Sequence, residues 1–218
     1  MPPKAKITKE MIVDAAFEIA RTEGAASINA RTLSQKLNCS TQPVLYYFST
    51  IEEIKNEVFQ KADQYHETYI TNLKGEYGNP LLEIAMLYIK FAVEEKKLFC
   101  FLFQSDKFVN RNLVDWTDDR KIVPIIEMMK EQAGLDEETA KSLFTCIYML
   151  MHGYASMFAN NSMEYHEEVI IENLQRTFMG IICDAKMKTA DNMKSVSNAK
   201  TVNDMNAVNG MNAEKEKK

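Results

Sequence analysis

Apolar residues recur every three or four positions along most of this chain, with no alternating runs bounded by hairpin turns, so the pattern predicts an all-α fold. Thr8 is a good N-cap for a first helix. Met11, Ile12, Ala15, Ala16, Ile19 and Ala20 form its stripe, and Gly24, where a left-handed cap costs least, ends it. Asn29 caps a short second helix with Leu33 and Leu37 one turn apart. Asn38, Cys39 and Ser40 then interrupt the pattern before Thr41 to Phe48 resumes it, with Val44, Leu45 and Phe48 expected to fill the inner face. Residues 29–48 therefore read as helix, three-residue turn, helix.

Thr50 and Glu53 have the spacing of a capping box, which opens a long fourth helix carrying Ile51, Ile54, Val58, Ala62, Tyr65 and Tyr69 on one stripe to about residue 72. After a loop at residues 74–78, Asn79 followed by Pro80 launches a helix to about Lys97 that is apolar on most faces and so belongs in the middle of a bundle. Residues 98–103 continue as a short aromatic-rich helix, and residues 104–118 read as irregular. Further helices are expected over about 119–133, closed by Gly134, over 136–159, and over 162–187, the last two joined by a tight turn at Asn160, Asn161 and Ser162. Both of these show wide apolar faces (Leu143, Ile147, Leu150, Tyr154 and Met157; Val169, Ile170, Leu174, Phe178 and Ile181), which predict a homodimer built through the last two helices. Residues 188–218 are mostly Asn, Met, Lys and Ala, too poor in branched hydrophobes to offset ordering entropy, and are expected to be a disordered tail.

Composition supports a globular body, with 46% hydrophobic and 10% aromatic residues in 218. A net charge of −5 speaks against nucleic acid until it is divided along the chain. Residues 1–48 carry 6 basic against 4 acidic side chains, residues 49–185 carry 13 against 23, and residues 186–218 carry 7 against 4. An acidic body behind a mildly basic N-terminus suits a protein that meets phosphate with one end only. Cys39, Cys100, Cys146 and Cys183 show no metal-ligand spacing and are expected to be buried thiols in a reducing compartment. No secretory h-region follows Met1 to Lys6, so a cytoplasmic location is expected. Residues 142–163 lack charged side chains over 22 positions, but Thr145, His152, Ser156 and Asn160 within them favour a buried or interface helix over a membrane span.

Residues 7–66 resemble the N-terminal domain of the TetR/AcrR regulators. The matching features are Ala15-Ala16, Gly24, Arg31, Leu33, Leu37, the Asn38-Cys39-Ser40 turn, Tyr46-Tyr47-Phe48 and Glu52-Glu53-Ile54. The resemblance implies three parts: a three-helix helix-turn-helix DNA-binding domain over 6–66, a helical ligand-binding and dimerisation domain over 67–187, and the tail beyond. It implies a DNA-binding transcriptional regulator, a ligand-responsive repressor, whose partners are a double-stranded operator and a small-molecule effector, and the aromatic, methionine-rich body suggests that the effector is hydrophobic.

Carried over residue by residue, the resemblance places Thr41, Gln42, Pro43, Tyr46 and Tyr47 on the groove side of the third helix. Gln42 can bond adenine through two hydrogen bonds, and the tyrosines can reach phosphates or stack on sugar and thymine methyl. Arg31 would reach a guanine or a phosphate, and Ser40 would cap the third helix or bond a phosphate. The family commonly has Tyr where this chain has Leu45 and a phosphate-contacting Lys where it has Ile51, so Tyr46, Lys55, Lys4 and Lys6 would have to supply the anchoring. In the body, Tyr88, Phe91, Phe99, Phe103, Trp116, Met128, Met129, Tyr148, Met151 and His152 are the residues expected to line an effector pocket, although aromatics and methionines at helical spacing also simply pack. His152 reads as a hydrogen-bonded core or interface group, and His66 and His166, beside Glu67 and Glu167, as members of solvated faces.

An enzyme is not expected. There is no Gly-rich phosphate loop, no Glu-x-x-His pair and no Ser/His/Asp set, and no metal or cofactor is predicted. A helical adaptor that binds only protein is the alternative, and it leaves the groove-reaching residue types on the third helix unexplained.

Overall fold

The computed structural model describes residues 7–105, 117–161 and 163–188, and among these every regular element is helical. Expectations for Lys4, Lys6, Trp116, Ser162 and the tail from residue 189 lie outside the described residues. The chain divides into two compact units, residues 1–174 and residues 175–218.

In the first unit, α1 spans Lys9–Thr22, and its start is fixed by the Thr8 side chain accepting a hydrogen bond from the Met11 N–H. Ile12, Ala15, Ala16, Phe17, Ile19 and Ala20 are buried along it, so the predicted stripe packs as expected except at its outer edge, where Met11 is exposed. Gly24 does take a positive φ, but at 98° with ψ of 154° it is not the left-handed cap expected. It turns the chain into a single 3₁₀ turn at Ala25–Ser27 instead. α2, Ala30–Lys36, opens with a reciprocal cap in which the Asn29 side chain accepts from the Arg31 and Thr32 amides while the Thr32 hydroxyl accepts from the Asn29 amide. Asn38 adopts φ 49°, a left-handed conformation that asparagine tolerates, and so makes the turn into α3, Gln42–Tyr47.

α4, Ile51–Thr71, is capped by Thr50, whose hydroxyl accepts from the Glu53 amide. The return bond goes one residue further back than a capping box requires, since the Glu53 carboxylate accepts from the Ser49 amide at 2.9 Å. α5, Pro80–Glu94, starts at the predicted Asn79 cap, and its Glu83 carboxylate is buried where it accepts from the Lys74 and Gly75 amides of the preceding loop. A break at Glu95 separates α5 from α6, Lys96–Phe103. α7 covers Val123–Ala133 and is closed by left-handed Gly134, as predicted. α8 covers Glu137–Asn160 with Asp136 as its cap, and residues 167–188 are again helical and are called α9.

α1 packs on α4, α5 runs along α8, and α7 also packs on α8. Asn173 near the start of α9 donates to the Tyr154 hydroxyl of α8 at 2.8 Å. Leu143, Ile147, Ile170 and Leu174 are buried within the chain, so they are core residues and not the exposed partner-facing surface expected of them. Within the first unit, the exposed apolar groups on these helices include Met149, Met157 and Val169. In the second unit, Met179 and Met187 are exposed and Lys188 pairs with Asp184 at 2.7 Å. No helix among the described residues is long and apolar enough to cross a membrane.

The four thiols are not buried as expected: Cys39 and Cys100 are half-buried and Cys146 and Cys183 are exposed. On α8 the inward positions are Leu143, Phe144, Ile147 and Tyr148, and Cys146 sits about 100° round the helix from its neighbour Ile147, on the outer side.

Candidate DNA-binding surface and helical body

The short third helix divides its side chains sharply. Val44 and Phe48, one turn apart, are 1% and 4% exposed and close the core of the first three helices. Gln42, Leu45 and Tyr46, which fall together on the opposite side at the i, i+3, i+4 spacing, are all exposed. Leu45 corrects the expectation. With 60% of its surface in solvent it belongs to the outer face, because a helix whose inner line is fixed by Val44 and Phe48 must turn residue 45 about 100° away from that line. Tyr46 is 81% exposed, so the alternative that it is a core aromatic fails.

The other sequence-predicted residues fall around this face. Thr41, Ser40 and Arg31 are exposed, while Pro43 and Lys55 are half-buried. Ser40 does not cap α3; the cap position is Thr41, and no side chain bonds the helix start there. Tyr47 is half-buried and turns from the outer face into an open groove of about 770 Å³, which it lines with Lys9, Phe48, Glu57 and Phe59. Tyr46 and Tyr47 remain in edge-to-face contact at 5.0 Å. Behind α3, Lys9 is committed to the fold: its ammonium bonds Glu57 at 2.6 Å and lies 5.3 Å over the Phe48 ring, tying α1 to α4.

In the body, most of the residues expected to line a pocket come together. Tyr88, Phe91 and Phe99 are buried, Tyr148 and Met151 nearly so, and Phe103 and His152 form the half-exposed edge. Ring centroids lie 5.7 Å apart for Tyr88 and Tyr148, 5.5 Å for Tyr88 and Phe103, and 5.5 Å for the stacked Tyr148 and His152. The Tyr88 hydroxyl stands between the Tyr148 hydroxyl at 3.1 Å and His152 Nδ1 at 2.8 Å. Burial pushes the Tyr88 phenol well up and the His152 ring down, so both remain uncharged near neutrality. On α7, Met129 is buried and Met128 half-buried.

His66 was expected on a solvated face and is instead 8% exposed, wedged edge-on against Phe91 at 4.8 Å, Phe103 at 5.0 Å and Tyr88 at 5.5 Å. Among the described residues its Nε2 has no hydrogen-bond partner. Burial pushes its pKa down to about 4, against a smaller upward pull from Asp63. His166 is exposed as expected.

Sequence reasoning also missed a buried carboxylate that joins three elements. Glu95, 7% exposed at the break between α5 and α6, accepts two bonds from Arg21 Nε of α1 at 2.9 and 2.8 Å and one from the Tyr65 hydroxyl of α4 at 3.1 Å. The carboxylate holds the Arg21 guanidinium firmly in its charged form. The partners are 74 and 30 residues apart, and no local pattern marks such a pair. Among the described residues, no group of three or more His, Cys, Asp or Glu side chains is placed to hold a metal ion.

No family model matches the sequence. The chain is 27% identical over 197 residues to a curated protein of Bacillus subtilis (strain 168), the uncharacterized HTH-type transcriptional regulator YobS, a match covering 85% of this chain and 98% of the relative. Two solved structures of the multidrug binding protein EbrR align at a TM-score of 0.47 with 15% identity. The complex with imidazole covers 77% of this chain and 88% of that one, and the complex with ethidium covers 81% and 99%. The two short helices joined through Asn38, with the outer face of the second exposed, form a helix-turn-helix, and the chain is similar over 85% of its length to an HTH-type transcriptional regulator.

Proposed function

We propose that this regulator is a dimeric repressor that lays α3 in the major groove of an operator and loses affinity when a hydrophobic small molecule enters its helical body. The observation that carries the DNA-reading half is the outer face of α3. Gln42 and Tyr46 stand in solvent there while Val44 and Phe48 hold the helix in place from behind. Gln42 is the base reader and Tyr46 a phosphate or sugar contact, with Arg31, Ser40, Thr41, Pro43, Tyr47 and Lys55 contributing around them. An adaptor binding only protein would have no use for this set.

The effector half is supported by the ring cluster around Tyr88 and by His66, whose unpartnered buried nitrogen could be satisfied by a polar atom of a bound molecule. The link to DNA runs through α4, which carries both His66 and Tyr65, and Tyr65 shares Glu95 with Arg21 of α1. A molecule that spreads the rings around His66 would shift α4 against this clamp and so move the recognition helix. Exposed Met149, Met157 and Val169 support association through the last two helices, which would set two recognition helices at a fixed spacing.

The test is selection of fragments from a genomic library by the purified full chain, followed by gel shift and footprinting. The expected result is retention of a few fragments with a two-fold symmetric protected site. Retention of every fragment alike, or of none, overturns the proposal.

A further inference from the structure

The two most exposed large apolar side chains described in residues 1–174 are neighbours on the same face of the same short helix: Tyr46 at 81% and Leu45 at 60%. Tyr46 has a hydroxyl to offer water, but Leu45 has nothing polar. An exposed leucine at this position contributes little to folding, since Val44 and Phe48 already complete the inner side of α3. Its surroundings on the outer face are Gln42 and Tyr46, groups suited to base edges and backbone. In the major groove the apolar feature of a base edge is the C5-methyl of thymine, and it is met by apolar side chains. Leu45 lies three residues beyond Gln42, an advance of about 4.5 Å along the helix axis, comparable to the roughly 3.4 Å between successive base pairs.

We propose that Leu45 reads the methyl group of a thymine at the base pair next to the adenine bound by Gln42, so that each half-site of the operator carries adjacent A·T pairs. This rests on the DNA-reading role of α3 argued above and adds a specificity that hydrogen bonding alone would not give. Where a tyrosine at this position would anchor the backbone, leucine exchanges an anchor for a base contact. The occupant of the exposed leucine is thus DNA and not a protein partner.

The experiment takes the operator selected by the full chain and replaces its thymines one at a time with deoxyuridine, which removes the methyl and keeps every hydrogen bond. Binding is read by fluorescence anisotropy. One position per half-site should weaken binding about fourfold, the value of one methyl removed from water. Leu45→Ala should bind the thymine operator more weakly, keep its thermal midpoint, and show no difference between thymine and uracil at that position. Exchanging that T·A pair for C·G should weaken binding, and 5-methylcytosine in place of the cytosine should restore about the same factor as the lost methyl. A chain that binds its operator but is indifferent to every uracil overturns this proposal and leaves the DNA-reading role standing. So does a Leu45→Ala chain that still distinguishes thymine from uracil, or one that recovers full operator binding while losing capture of a protein. A chain that selects no operator overturns both.

Discussion

On the outer face of α3, Tyr46 stands 81% exposed, whereas in the helical body Tyr88 is 3% exposed with its hydroxyl held between Tyr148 and His152. The residue type is the same and the consequences of changing it are opposite. A side chain that the fold leaves in solvent can be exchanged to alter what is bound without altering whether the protein folds. A side chain packed against five other rings cannot be touched without disturbing both. The outer face of α3 is therefore separable from stability, and the body is not.

That contrast breaks most easily at the core. Phe91, fully buried and in contact with His66, Tyr65 and Tyr69, should cost about 3–5 kcal/mol as Phe91→Ala in urea unfolding, with any effect on DNA binding explained by the unfolded fraction. Next comes Arg21→Ala. It leaves the buried Glu95 carboxylate with the Tyr65 hydroxyl as its remaining partner among the described residues, and a loss of about 3 kcal/mol is expected. If that variant unfolds no more readily than the parent, the clamp between α1, α4 and the α5–α6 break is not structural.

The body should also show a pH dependence that the outer face of α3 lacks. The folded His66 binds its proton only near pH 4, while in the unfolded chain it does so near 6.5. Between these values the unfolded state holds more protons, so stability is full above about pH 6.5 and falls as the pH drops toward 4, by at most about 3 kcal/mol. His66→Phe should flatten that part of the stability–pH curve; an unchanged slope would place the titrating group elsewhere. The smallest effect is expected from Tyr46→Phe, whose thermal midpoint should match the parent because surface changes stay within about 0.5 kcal/mol. Its operator affinity should fall several-fold by loss of one hydrogen bond to the backbone.

Much of this architecture was legible because its signals are local. The caps at Thr8, Asn29, Thr50 and Asn79 and the stop at Gly134 each depend on a few adjacent residues, and each lies where the sequence placed it. Helix faces were harder. In α3 the run Val44-Leu45-Tyr46 offers apolar groups all round six residues, and only the packing of Val44 and Phe48 decides which way Leu45 turns. His66 was misplaced for a similar reason, since an acidic neighbour at 67 points about 100° away and says nothing about the ring's own surroundings. Glu95 and Arg21 were invisible because their meeting depends on the tertiary fold over a long separation.

The most direct test of the central claim is a paired titration of the selected operator with the parent chain and Gln42→Ala, with thermal unfolding measured on the same samples. An affinity loss of about 1–3 kcal/mol is expected, roughly fivefold to 160-fold, with the thermal midpoints coinciding. Equal affinity of the two chains for the operator, or a Gln42→Ala chain that unfolds well below the parent, would contradict it.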